Sequence, residues 1–268
     1  MTVPLLEVSG ISKKFSKKNR VIDALKPCSF NLSQGEILGI IGESGSGKST
    51  ILKILSSLES PTQGYVKLLG KETTNLHGKS KKYIYQNIQM IFQNPVGSFN
   101  PRKKLRSSIL ENLQCLCPSL SLVEQNHRID SLLEKVGINP DLANRYPYNL
   151  SGGQCQRIAI ARALSVHPKI LLCDEITSAL DVLTQAYVIE LLLEFSREFN
   201  IAIIFVSHDL SLACNFCKNA MVMYQGVCVE MESVGKLFKN PKHWYTKQLI
   251  AAALDPVTYL KQQKDSYS

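Results

Sequence analysis

The sequence predicts an α/β fold in which helices flank a mainly parallel sheet. An antiparallel β region precedes this core, and a helical region is inserted within it. Three observations carry the prediction. Continuous apolar runs recur as "EILGII" from Glu36, "ILLCDE" from Ile170 and "IAIIFVSHD" from Ile201, the texture of strands buried on both faces. Helix-periodic stretches separate them, as in β-α-β units. Residues 94–168 change texture, becoming polar and helix-patterned with prolines at 95, 101, 118, 140 and 147.

The elements follow in order. Residues 3–35 alternate short apolar stretches with turns, and so read as short antiparallel strands. After the Glu36–Ile41 strand, "KSTILKILSSL" spaces Ile51, Leu52, Ile54, Leu55 and Leu58 for a helix. "SLVEQNHRIDSLLEKVG" is a helix of the inserted region. "QAYVIELLLEFSREF" is a helix between the last two buried strands. "MVMYQGVCVE" reads as a terminal hairpin, followed by short helices at "VGKLFKN" and "WYTKQLIAAAL". The expected organisation is one domain over 1–258, with the helical subdomain at about 94–168 and a C-terminal helical segment at about 233–258. Residues 259–268 form a polar tail.

Composition narrows the class. Of 268 residues, 44% are hydrophobic and 20% charged, as in ordinary globular chains. No apolar run approaches the ~20 residues of a bilayer-spanning helix. "MTVPLLEVSG" has no basic region followed by an apolar core, so no secretory signal is predicted and a cytoplasmic location is expected. The net charge of +9 gathers in clusters such as Lys13, Lys14, Lys17 and Lys18. Phe15 apart, they lack the interleaved aromatics that stack on bases, so nucleic acid is not expected as a partner. Eight cysteines are scattered, and reduced thiols are expected. Cys214 and Cys217 form a CxxC without a second pair, and their spacing suits packing on one helix face.

The chemistry lies in short motifs. "GESGSGKS" fits G-x-x-x-x-G-K-[ST] between a buried strand and a helix, which predicts a P-loop NTPase core. Gly42, Glu43, Ser44, Gly45, Ser46, Gly47, Lys48, Ser49 and Thr50 form the expected ATP cradle. Its glycines let backbone N–H groups converge on phosphate oxygens, at the positive end of the following helix. Lys48 is assigned to the β- and γ-phosphates and the Ser49 hydroxyl to Mg²⁺. Asp174 and Glu175 emerge at the C-terminal end of a strand, where ligand crevices of parallel sheets lie. Asp174 suits Mg²⁺ and Glu175 the polarisation of an attacking water. His208 ends the next buried strand, towards the γ-phosphate side. Gln93 follows the apolar run of "MIFQN", and its neutral amide suits Mg²⁺ or the water. "LSGGQCQR" holds a second glycine pair before a helix, with Ser151, Gly152, Gly153 and Gln154 facing an anion.

The ordered set "GESGSGKST", "MIFQN", "LSGGQCQR", "ILLCDE", "SALD" and "VSHD" resembles the ATPase subunit of an ATP-binding-cassette (ABC) transporter over nearly the whole chain. "FQNPVGSFNPR" and "NPKHWYTKQLIAA" resemble the peptide and nickel importer ATPases, with Trp244 where proline is usual. The resemblance implies that Phe15 stacks on adenine, with a core aromatic as the alternative. It implies that Ser151, Gly152, Gly153 and Gln154 face ATP held by a second ATPase subunit, identical or homologous, in an ATP-dependent dimer. It implies two transmembrane permease subunits contacting the region of Gln93 and residues 94–106, an extracytoplasmic binding protein acting indirectly, and peripheral placement at the cytoplasmic face of the inner membrane. The implied activity is ATP hydrolysis driving uptake of peptides or nickel and metal chelates. An exporter ATPase and a nucleic-acid-acting ABC ATPase are the alternatives. Ile176 in place of proline, Cys173 beside the acidic pair and Cys155 within the signature depart from the family pattern, and they raise thiol sensitivity as a further expectation.

Overall fold

The computed structural model describes residues 4–17, 20–178 and 180–254. The polar tail and the last residues of the expected C-terminal helical segment lie outside them.

Two sheets organise the chain. The first is antiparallel, in the order β2-β1-β4-β5. It comprises β1 (Leu6–Lys17), β2 (Arg20–Leu32), β4 (Gln63–Leu68) and β5 (Lys71–Glu72). Two differences from the sequence reading appear here. The first two strands run 12 and 13 residues rather than forming short pieces. Register shifts between Val8 and Lys14 explain how the sequence looks broken while the pairing continues, because a bulge interrupts the alternation without ending the ladder. The sheet is also completed from beyond residue 35, by β4 and β5.

The second sheet has the order β10-β9-β3-β8-β7-β6. Its strands are β3 (Ile37–Ile41), β6 (Ile88–Ile91), β7 (Ile170–Asp174), β8 (Ala202–Ser207), β9 (Asn219–Tyr224) and β10 (Val227–Ser233). All neighbours are parallel except β9 and β10, which form the expected hairpin. The continuous apolar runs are explained by burial on both faces. Alternate residues of one strand enter different cores: Leu38, Ile40, Ile204 and Val206 enter one, and Ile41, Ile203 and Phe205 the other.

The first core lies under the antiparallel sheet and α1 (Lys48–Leu55), which buries Ile51, Leu52, Ile54 and Leu55. The second is covered by helices. Between β6 and β7 the chain forms α2's successors in order: after α2 (Lys82–Asn87) leads into β6 come α3 (Leu105–Leu116), α4 (Leu122–Lys135) and α5 (Gly152–Leu164). α4 starts with a reciprocal cap between Ser121 and Glu124, and Arg106 of α3 holds Asp130 of α4 at 2.5 and 3.1 Å. α6 (Val182–Phe199) joins β7 to β8, and α7 (Leu210–Phe216) joins β8 to β9. After β10 come α8 (Val234–Lys239) and α9 (Trp244–Leu254). Among the described residues no helix is long and apolar enough to cross a membrane.

Candidate functional site

The phosphate loop follows β3 and leads into α1. Its curl needs glycine, and two positions show why. Gly42 has φ +155°, and a Cβ there would lie 2.2 Å from the Met223 carbonyl oxygen. Gly47, the N-cap of α1, has φ +103°, and a Cβ there would lie 2.7 Å from the Ala24 carbonyl oxygen. Lys48 folds back into the loop, its Nζ donating to the Gly42 and Glu43 carbonyls at 2.6 and 2.8 Å. A cavity of about 360 Å³ opens over the loop, bounded by Ala24, Ser44, Lys48, Thr50, Gln93 and Glu175.

Glu175 is the meeting point of the site. Its Oε1 lies 3.6 Å from Lys48 Nζ, and its Oε2 lies 3.6 Å from His208 Nδ1. The same Oε2 accepts from Gln93 Nε2 at 3.1 Å. The backbone at Glu175 is left-handed, with φ +47°, a strained conformation for a residue with a side chain. It turns the chain sharply off the end of β7, and the Glu175 N–H donates to the Val206 carbonyl of β8 at 3.1 Å.

Next to it, Ser49 Oγ donates to Asp174 Oδ1 at 2.9 Å. Burial pushes the Asp174 carboxyl above its ordinary value. The Ser49 hydrogen bond opposes that rise, and the Glu175 charge adds to it. Burial also lowers Lys48, against the pull of Glu175 and Asp174, which favour its charged form. These are the electrostatics of charges held out of water and facing one another, as in sites that bind multiply charged ligands.

The second glycine pair is built differently. Ser151 is the N-cap of α5: its Oγ accepts from Gln154 N–H at 3.2 Å, and its own N–H donates to Gln154 Oε1 at 3.0 Å. Gly152 and Gly153 form the first helical turn, where a Cβ on Gly152 would meet nothing within 4 Å. The motif is therefore an open helix N-terminus and not a second curled loop. A cavity of about 490 Å³ lies over it, shared with Asp181, Thr184 and Tyr187 of the α6 region. The two cavities share no lining residue. The structure thus gathers Lys48, Ser49, Gln93, Asp174, Glu175 and His208 at one site and leaves Ser151 to Gln154 at another.

Phe15 lies on β1 opposite Ile22, 36% exposed, with Lys13 Nζ 4.9 Å from its ring centre. It is therefore not in the core. Cys155 and Cys173 are fully buried, and burial raises both thiols. That argues against the expected thiol sensitivity, because the reactive species is the thiolate. Cys155 has a packing role: its Sγ lies 3.3 Å from the Pro147 carbonyl oxygen. Cys217 is buried just past α7, where a Cβ on Gly39 would come within 3.1 Å of its Sγ; the side chain of Cys214 lies outside the described residues. Among the described residues no three His, Cys, Asp or Glu side chains cluster to hold a metal. The sequence reading missed Tyr245, whose hydroxyl accepts from the Glu43 N–H at 3.0 Å; only the "HWYT" resemblance pointed at that segment.

A phosphate loop below a strand-end carboxylate pair, with a separate helix N-terminus open to an anion, defines a nucleotide-hydrolysing cassette. The family model described as ABC transporter matches residues 25–178, and the chain belongs to that family. It is 40% identical to the oligopeptide transport ATP-binding protein OppF of Haemophilus influenzae, over 97% of this chain and 81% of OppF. It is 43% identical to the oligopeptide transport ATP-binding protein AppF of Bacillus subtilis, over 91% of this chain and 74% of AppF. Among solved structures, the dimeric post-hydrolysis state of the ATP-binding cassette MJ0796 bound to ADP and Pi superposes with a TM-score of 0.79. It is 31% identical, covering 85% of this chain and 98% of the other. The chain is an ATP-hydrolysing subunit of an ABC transporter with the P-loop NTPase fold.

Proposed function

We propose that this chain powers import of peptides, with ATP bound at Gly42–Thr50 and hydrolysed at Glu175. The observation that carries the catalytic half is the convergence of Lys48, Gln93 and His208 on the Glu175 carboxylate. Phosphoryl transfer asks mainly for positioning and charge neutralisation. Lys48 neutralises the β- and γ-phosphates. Glu175 takes a proton from the attacking water, Gln93 orients that carboxylate, and His208 sits where charge develops on the γ-phosphate. The hard oxygen pair of Ser49 and Asp174 fits Mg²⁺, which keeps most of its ligands from phosphates and water. Mg²⁺ held there would neutralise phosphate charge. Phe15, exposed on β1, is the proposed adenine platform.

The substrate reading rests on the relatives, which are oligopeptide transport ATP-binding proteins. Nickel or a metal chelate is the second reading, since the "NPR" and "HWYT" segments resemble the peptide and nickel importer ATPases alike. Ser151, Gly152, Gly153 and Gln154 would face ATP held by a second ATPase subunit, a reading supported by the separateness of their cavity and by the dimeric neighbour. A groove of about 510 Å³, bordered by Tyr85, Phe92, Asn100, Glu111 and Cys115, lies beside residues 94–106 and would receive a permease segment at the cytoplasmic membrane face.

The test of the catalytic reading is Glu175→Gln. General-base loss costs about 10²–10⁴ in rate, with ATP binding retained. Wild-type hydrolysis by this variant would overturn the assignment. Uptake of labelled oligopeptides against nickel, in vesicles carrying the chain with its permeases, separates the two substrate readings.

A further inference from the structure

The C-terminal part of the fold grips the phosphate loop at three places. Gly42 packs directly against the Met223 carbonyl of β9. The Gly226 N–H, in the turn between β9 and β10, donates to the Ser46 carbonyl at 3.0 Å. Between these two points, the Glu43 N–H donates to the Tyr245 hydroxyl of α9 at 3.0 Å.

The third contact bears on one peptide group. The Glu43 N–H and the Gly42 carbonyl belong to the same peptide, and in a trans peptide they point in opposite directions. Lys48 Nζ holds the carbonyl end at 2.6 Å, and Tyr245 holds the N–H end. With both ends held, the plane cannot rotate. Tyr245 can serve as a fixed point because it is itself immobilised. It is 2% exposed, and its ring centre lies 4.4 Å from that of Tyr224 at the end of β9. The entry to α9 is tied down by Glu230 of β10, whose carboxylate accepts the N–H groups of Lys242 and His243 at 3.0 and 3.1 Å.

We propose that Tyr245 is a positioning residue for ATP binding: through the Gly42–Glu43 peptide it sets where Lys48 meets the phosphates. This rests on the phosphate-loop reading, and the experiment keeps the two apart. Tyr245→Phe removes the hydroxyl and keeps the ring on Tyr224. In the 268-residue chain, titration with a fluorescent ATP analogue should give a Kd raised about 3–10-fold, the scale of one lost hydrogen bond with its donor left unpaired. The KM for ATP should rise alike, with kcat within about twofold. Ile250→Ala, a buried change elsewhere on α9, should lower Tm without moving Kd. In a Lys48→Ala background, Tyr245→Phe should have no further effect on Kd.

An unchanged Kd in Tyr245→Phe, with Lys48→Ala still weakening binding, overturns the role of Tyr245 alone. Wild-type binding by Lys48→Ala overturns the loop reading and this proposal with it. Equal effects of Tyr245→Phe and Ile250→Ala on Kd, or an undiminished effect in the Lys48→Ala background, leave α9 as packing and overturn the positioning role.

Discussion

Gln93 donates its side-chain amide to the Glu175 carboxylate at 3.1 Å, joining the second residue past the edge strand β6 to the residue after β7. The first lies on the chain leading into the inserted helices, and the second is the proposed general base. The same segment is held from its far side by Arg162 of α5, which donates to the Ser98 carbonyl at 2.9 Å and stacks over Phe99 at 4.3 Å. Burial lowers the Arg162 guanidinium to about 10.

Replacing Gln93 tests that link. Gln93→Ala should lower kcat about tenfold, a loss comparable to one hydrogen bond to a charged group. Gln93→Glu should lower kcat further, because it sets a like charge against Glu175 and returns no donor to it. Turnover by Gln93→Glu as fast as by Gln93→Ala would show that the contact does not act on Glu175.

Asp174 is predicted to cost stability where it serves function. A carboxyl whose folded-state pKa is raised destabilises the fold once it is ionised, and the penalty is absent where folded and unfolded chains are both protonated. Asp174→Asn keeps an acceptor for Ser49 and removes the charge. At pH 7, without nucleotide, its Tm should exceed wild type by about 2–4 °C. The gain should vanish as pH falls below the ordinary carboxyl value of ~3.9. Mg²⁺-dependent hydrolysis should be lost throughout.

Gly152→Asp separates the signature helix's structural role from its anion-facing one. The site is open, the backbone is already helical, and an acidic residue in the first turn suits the helix dipole, so Tm should hold or rise slightly. The added charge repels an incoming phosphate. ATP-dependent dimerisation, followed by light scattering, should fall at least tenfold. Undiminished dimerisation would remove this helix from the interface.

Thiol labelling should follow burial. A short maleimide pulse read by mass spectrometry should modify exposed Cys115 and leave Cys155 and Cys173 intact until the chain unfolds. Because Cys115 borders the proposed permease groove, assembly with the membrane subunits should slow its labelling.

Much of the site is legible in sequence because each motif is local. A loop before a helix, a carboxylate pair ending a strand and a histidine ending the next are each set by a few adjacent residues. The parallel sheet then brings them together, since β3, β8 and β7 are neighbours. What escaped depends on distant contacts or on backbone conformation. Nothing near Glu175 announces φ +47°, which accompanies its tie to Val206 on the neighbouring strand. The sequence sets the glycines at 152 and 153 before a helix, whereas the Ser151 cap makes them its first turn. The long pairing of β1 with β2 is hidden by its register shifts. Tyr245 reaches Glu43 across 202 residues, a relation that local pattern cannot carry.

That separation has a consequence in time. At about 5–20 residues per second, the ribosome needs roughly 10–40 s to travel from Glu43 to Tyr245. The phosphate loop emerges early, beside a strand whose partners β8 and β9 do not yet exist. During synthesis the nascent chain therefore carries the loop without its support. The nucleotide site is among the first parts made and among the last to be held in shape.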